Sequence, residues 1–320
     1  MLMRAAVLAA PGQIGVMDVP LPEPRPDEVR VKLEGCGVCA SNLEPWAGME
    51  WITYPGEPGA LGHEGWGRID KLGHKVEGLA VGDRVATLSH RSFAEYDVAR
   101  ADHVAKLPPG LDGQPFPGEP LACAFNIFRR TRVESGQAVA IIGIGFLGAV
   151  LTHLVSKAGG RVIAISRRAE SLALARHYGA AETIAMNDHH DIIERVRQLT
   201  GGTWCPRVIE CVGRQWPLDL AAELVGFGGE LVVAGYHQDG PRQVNMQMWN
   251  WKGIDVINAH ERDPAVQMRG LREAVAAVAS GELDPRPLYS RAYPLEQLGA
   301  ALDDTRDKPG GFVKALVTLA

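Results

Sequence analysis

Ala138-Val139-Ala140-Ile141-Ile142 runs directly into Gly143-Ile144-Gly145-Phe146-Leu147-Gly148, and an apolar stretch of helical character follows. Five apolar residues rich in β-branched side chains read as a buried strand. The glycines then stand where a chain turning from strand to helix needs them. They permit the tight turn and let the backbone approach a pyrophosphate, whose charge the helix N-terminus meets. A bare G-x-G-x-x-G is weak evidence, but one that follows a strand and opens a helix is a dinucleotide fingerprint in its proper setting. Gly143, Gly145, Phe146, Leu147 and Gly148 are therefore candidate cofactor-binding residues.

Working outward, strands at 161–166 and near 207–211, 230–235 and 254–258 alternate with helical stretches, including 146–158 and 169–178. That alternation predicts a parallel sheet with crossover helices and an α/β fold. Val162-Ile163-Ala164-Ile165 ends in Ser166-Arg167-Arg168, where an NAD-binding sheet normally carries an Asp or Glu for the ribose hydroxyl. A small hydroxyl leaves room for a 2′-phosphate, and two guanidiniums can bind it through charge-assisted hydrogen bonds. NADP(H) is favoured over NAD(H), with Ser166, Arg167 and Arg168 as the residues concerned.

Residues 1 to about 120 have another texture, dense in Gly and Pro with short β-type runs at Val29–Leu33 and Arg84–Leu88. They predict a β-rich, loop-rich domain. Pro20, Pro22, Pro24 and Pro26 read as an extended connector, and Ala5 to Ala10 as a first strand rather than a leader segment. Within this region lie Gly35-Cys36-Gly37-Val38-Cys39-Ala40-Ser41-Asn42 and Gly62-His63-Glu64-Gly65. A thiolate, an imidazole and a carboxylate suit a borderline-soft divalent ion that keeps one position open for water or substrate, which points to a catalytic zinc. Cys39, His63 and Glu64 are candidate ligands. A further carboxylate or thiol is expected from Gly118-Glu119-Pro120-Leu121-Ala122-Cys123, where Glu119 and Cys123 compete for the place.

Composition narrows the class. At 320 residues, with 46% hydrophobic and 22% charged residues, the chain suits two globular domains. A net charge of −5 and the lack of a large Lys/Arg cluster give no reason to expect a nucleic-acid partner. Five scattered cysteines make a poor disulfide framework and favour a reducing cytoplasm. No segment reaches the length needed to span a bilayer as a helix.

Taken in order, these residues resemble the medium-chain dehydrogenase/reductase superfamily, its zinc-dependent alcohol and polyol dehydrogenases in particular, across essentially the whole chain. The matching motifs are Gly62-His63-Glu64, the turn Gly82-Asp83-Arg84-Val85, and Gly143 to Gly148. The resemblance implies a GroES-like β-rich catalytic domain from residues 1–123 and 264–320, and a doubly wound Rossmann domain from 124–263. It implies Glu119 at or near the metal, Cys123 against the nicotinamide, and Ser41 as the hydroxyl that passes the substrate proton toward solvent. It also places Gly235-Tyr236-His237 at a strand end near the nicotinamide and Asn258-Ala259-His260 after the sheet's last strand.

The chain departs from that pattern in several places. Asn42 stands where many members carry an Asp, and Glu44 where many alcohol dehydrogenases carry a relay histidine. The four-cysteine structural lobe is missing, because Thr87-Leu88 passes almost directly to Ser92-Phe93, so one zinc per chain is expected. Tyr236, His237, Asn258 and His260, with Trp46 and Trp51, would suit a hydroxylated substrate. The apolar segment Met246 to Trp251 suggests burial against a second copy, as a homodimer or homotetramer. Two rival readings are a zinc-free quinone or enoyl reductase and a noncatalytic nucleotide-responsive binding protein.

Overall fold

The structure, a computed structural model, describes residues 1–50 and 52–319. Trp51, named above as a substrate-facing residue, lies outside the described residues. In chain order the strands are β1 (Leu2–Ala10), β2 (Gln13–Pro20), β3 (Glu28–Gly37), β4 (Gly65–Leu72), β5 (Arg84–Thr87), β6 (Tyr96–Arg100), β7 (Val104–Lys106), β8 (Ala138–Ile142), β9 (Arg161–Ser166), β10 (Glu182–Ala185), β11 (Cys205–Glu210), β12 (Val225–Val233), β13 (Asp255–Asn258), β14 (Tyr289–Pro294) and β15 (Lys314–Thr318). The helices are α1 (Leu43–Ala47), α2 (Gly118–Thr131), α3 (Phe146–Lys157), α4 (Ala169–His177), α5 (His189–Leu199), α6 (Gln215–Leu224), α7 (Met246–Lys252), α8 (Pro264–Ala279) and α9 (Leu298–Asp307). Two compact units result, one from Met1–Ala122 with Asp263–Ala320, the other from Cys123–Arg262.

The first unit is β-rich. A sheet in the order β14-β15-β3-β4-β5-β7, with β6 on β3, gathers strands from both ends of the chain, and β1 pairs with β2. Val29, Val31, Leu33, Ile69 and Val85 fill one core cluster; Cys36, Val38, Trp46, Phe93 and Phe312 belong to another. The join between β3 and β15 is antiparallel, Leu316 opposite Gly37 and Thr318 opposite Gly35. It brings the C-terminal strand beside the segment that carries Cys39.

The second unit is a six-stranded parallel sheet in the order β10-β9-β8-β11-β12-β13. Its central strands β8 and β9 are apolar, as strands covered on both faces must be: Val139 to Ile142 and Val162 to Ile165 are completely buried. The order reverses between β8 and β11, which opens the crevice where such sheets bind ligands at strand carboxyl ends.

Helix α8 starts at Pro264, because the Asp263 carboxylate caps Ala265 N at 2.9 Å and proline fits the first helical position. Met246 to Lys252 forms the short helix α7, capped by Asn245. Trp46 is a core residue rather than a substrate contact: it is buried, and its indole N–H donates to Asp303 Oδ1 at 3.0 Å. No helix among the described residues is long and apolar enough to cross a membrane.

Candidate active site

Cys39 ends the run from β3 and opens a short 3-10 turn, Ala40–Asn42. Asn42 is buried and clips that turn in place. Its Oδ1 accepts from Cys39 N at 3.2 Å, and its Nδ2 donates to the Leu61 carbonyl at 3.0 Å. His63 Nδ1 lies 2.8 Å from the same carbonyl, which selects the tautomer with the proton on Nδ1 and leaves Nε2 as a donor for a metal. Leu61 supports both contacts from a left-handed conformation, φ +72°, that a non-glycine residue adopts only when its surroundings impose it.

The donor atoms of Cys39, His63 and Glu64 all lie within 4.8 Å of one another, close enough to surround one ion. Glu64 is completely buried, and a Cβ on Gly37 would meet its Oε2 at 1.8 Å, so only glycine leaves room for it. Glu64 Oε1 accepts from Lys314 Nζ at 2.8 Å. Oε2 lies 2.6 Å from the same nitrogen but outside hydrogen-bond alignment, and it has no other partner. A sealed carboxylate oxygen with spare capacity, beside a thiol and a correctly oriented imidazole, fits a divalent cation.

The electrostatics agree with that fit. Burial alone would lower the His63 pKa, yet the hydrogen bond and charge of Cys39, with Glu119 and Glu64, push it up to about 10. Burial likewise disfavours the Lys314 ammonium, and Glu64, Cys39 and Glu119 more than restore it. Glu119, in the first turn of α2, stands outside the compact trio, although its charge reaches both His63 and Lys314. Cys36 is buried in the core, where desolvation raises its thiol pKa far from thiolate chemistry. Cys123, one turn beyond Glu119, opens the second unit.

A cavity of about 380 Å³, a size suited to a small substrate, adjoins these residues. Ser41, Asn42, Leu61 and His63 line one part of it, and Glu57, His90 and Arg91 another. The last three come from segments to which the sequence reading assigned no role.

In the second unit the fingerprint forms the turn its glycines require. Gly143 has φ +92°, and a Cβ on Gly148 would meet the Gly143 carbonyl at 2.0 Å. Gly145 faces open space and offers no side-chain cap to α3, the cradle an incoming phosphate would fill. Ser166 is buried at the end of β9, Arg167 is exposed, and Arg168 is the N-cap of α4. Desolvation lowers the Arg168 pKa, the Glu170 carboxylate works against that shift, and the charge of Arg167 adds to it.

Gly235 and Tyr236 follow β12, and Tyr236 stacks on His260 with ring centroids 5.5 Å apart. His237 is not a free polar tip. Its Nε2 lies 3.0 Å from Glu210 Oε2, and its Nδ1 accepts from Arg242 Nε at 2.8 Å. Buried Glu210 also accepts from Val212 N and Gly213 N. This network escaped sequence reading. Its one signal was an acid closing an apolar strand, Val208-Ile209-Glu210.

Comparison with known proteins places this architecture. The zinc-binding dehydrogenase family matches residues 146–277, and the alcohol dehydrogenase GroES-like domain matches residues 25–109. An alcohol dehydrogenase of Rhizobium meliloti is 32% identical, over 63% of this chain and 68% of its own length. The sorbitol dehydrogenase of Rattus norvegicus is 29% identical over 94% and 92%. An NADP-bound structure from Sinorhizobium meliloti 1021, described as that of a zinc-binding dehydrogenase, superposes with a TM-score of 0.86 at 26% identity and full coverage of both chains. The chain belongs to the zinc-type medium-chain dehydrogenase/reductase superfamily, as an NAD(P)-dependent dehydrogenase of the alcohol and polyol class.

Proposed function

We propose that this dehydrogenase holds one catalytic zinc on Cys39, His63 and an acidic partner, uses NADP(H) in preference to NAD(H), and interconverts a secondary alcohol, polyol or cyclitol with its ketone. The observation that carries the reading is the compact Cys39, His63 and Glu64 trio beside a cavity that also holds Ser41. Oxidation of R₂CHOH to R₂C=O sends a hydride to NADP⁺, giving NADPH, and releases one proton. Zinc, when bound, polarises the substrate oxygen and lowers the hydroxyl pKa. Ser41 accepts the hydroxyl proton and passes it toward solvent. Asn42 and the Leu61 carbonyl keep Cys39 and His63 in register for the metal. Arg167 and Arg168 bind the 2′-phosphate of the cofactor, and the Gly143–Gly148 turn binds its pyrophosphate.

Metal content of protein purified without chelator or immobilised metal tests the reading. About one zinc per chain is expected, and Cys39→Ser or His63→Ala should empty the site and abolish turnover while NADPH affinity persists. Protein that holds no zinc, takes up none, and reduces a quinone or enoyl compound with NADPH is the zinc-free reductase instead. Cofactor binding without turnover of any alcohol or ketone would leave the nucleotide-responsive binding protein.

The second unit supports self-association. β13 is the edge strand of its sheet, with Val256 exposed, and Trp251 and Phe227 are 78% and 68% exposed. An unpaired edge with apolar neighbours suits a second copy of this chain. A dimer or tetramer is expected in sedimentation, and a monomer at micromolar concentration would count against it.

A further inference from the structure

We propose that Glu57, His90 and Arg91 form a selecting rim that takes an uncharged polyhydroxyl chain in preference both to its phosphate ester and to a plain alkyl alcohol. The proposal rests on reading the cavity of Ser41 and His63 as the substrate site. The three rim residues line that same cavity, so a substrate whose reacting carbon lies by Ser41 and His63 extends its remaining carbons past them.

The loop that carries His90 and Arg91 is built on a ladder of hydroxyls. Thr87 Oγ1 lies 2.9 Å from Ser89 Oγ, which lies 3.0 Å from Ser92 Oγ, and Ser92 donates to Asp97 Oδ2 at 2.9 Å. The Asp97 carboxylate also accepts from Arg91 N at 3.1 Å. Beneath the loop, Ser92 N donates to the Gly62 carbonyl at 2.9 Å, and a Cβ on Gly62 would meet Phe93 N at 2.3 Å. The chain that presents His90 and Arg91 is thus clamped onto the glycine that precedes His63.

Charge at the rim then sets the ligand class. Arg91 Nη2 lies 3.2 Å from Glu57 Oε2, so the guanidinium is already matched, and a phosphate approaching it also meets a carboxylate. The His90 side chain is exposed where it lines the cavity. Its imidazole offers ring N–H donors, the Arg91 guanidinium offers donors, and the Glu57 carboxylate offers acceptors. Vicinal hydroxyls satisfy all three, whereas an alkyl chain would cover them and leave them without partners.

The experiment measures NADP⁺-linked oxidation of xylitol, ribitol, sorbitol and myo-inositol, of the phosphate ester of the best of these, and of 2-butanol. Wild type, Arg91→Ala and Glu57→Gln are compared; both side chains are mostly exposed, so the variants should keep the wild-type melting temperature. Wild type should prefer the polyol. Arg91→Ala should raise the polyol KM roughly tenfold, the loss of one charge-assisted hydrogen bond, with kcat and 2-butanol oxidation nearly unchanged. Glu57→Gln, which leaves Arg91 unmatched, should improve relative use of the phosphate ester by about tenfold. Wild-type preference for the phosphate ester or for 2-butanol, or equal losses on polyol and 2-butanol in the variants, would overturn the rim. Absence of turnover with every substrate in the zinc-loaded wild type would instead overturn the dehydrogenase reading, and the rim with it.

Discussion

Lys314 and Glu64, 250 positions apart in sequence, form an ion pair at 2.6 to 2.8 Å with side chains 5% and 0% exposed. Removing one member of such a pair strands the other charge, at a cost of about 3–5 kcal/mol. Lys314→Met should therefore destabilise the protein by that order in denaturant unfolding. The double variant Lys314→Met, Glu64→Gln should recover much of the loss, because it leaves no buried charge unpaired. Additive losses in the double variant would show that the two side chains act independently.

Zinc uptake should depend on pH through His63. In the metal-free protein its pKa is raised from 6.5 to about 10, so this group stabilises the fold fully below the unfolded value and the contribution is lost as pH rises through the folded one. Zinc needs the deprotonated ring, so the sign for binding is opposite. Apparent zinc affinity should fall by about tenfold for each pH unit below that folded value, with at least one proton released per ion. Calorimetry in buffers of different ionisation enthalpy measures the release, and a pH-independent affinity would contradict the expectation.

Asn42→Asp should weaken the metal site rather than strengthen it. An added carboxylate would ordinarily be expected to favour a cation. Here Nδ2 is the donor to the Leu61 carbonyl at 3.0 Å, and an aspartate oxygen in its place faces that carbonyl with no proton to share. Loss of a partner that orients metal ligands typically costs roughly 10–100-fold in affinity. Competition with a chromophoric chelator reads the change.

Arg167→Ala should weaken NADPH by roughly tenfold or more and leave NADH within about twofold, since the 2′-phosphate is the only group that differs between them. Titration of nucleotide fluorescence gives both constants. Equal effects would remove the basis for preferring NADP(H).

Much of the cofactor unit was legible because its determinants are local. The apolar run Val139 to Ile142 becomes a strand buried on both faces, and the glycine spacing of 143–148 is a requirement of one turn. Cys39 and His63 were legible as residue types whose chemistry suggests a metal, whereas the role of Ser41 came from the family resemblance alone. His237 was misread because the carboxylate it meets, on Glu210, lies 27 positions earlier in the chain, at the end of β11. Trp46 was misread because an aromatic side chain in a loop-rich region does not disclose which way it faces.

The sequence by itself determined the two-textured architecture, the nucleotide turn and the donor atoms at Cys39 and His63, since each depends on neighbours a few residues away. Only the tertiary structure decided what surrounds those donors. Lys314 reaches Glu64 because β15 pairs with β3 in one antiparallel register, Leu316 opposite Gly37, and a slip of one residue would turn its side chain to the other face. The Asn42 amide that reaches the Leu61 carbonyl 19 positions away, and the loop that sets His90 and Arg91 at the same cavity, likewise depend on contacts between separate segments, which local sequence pattern does not encode.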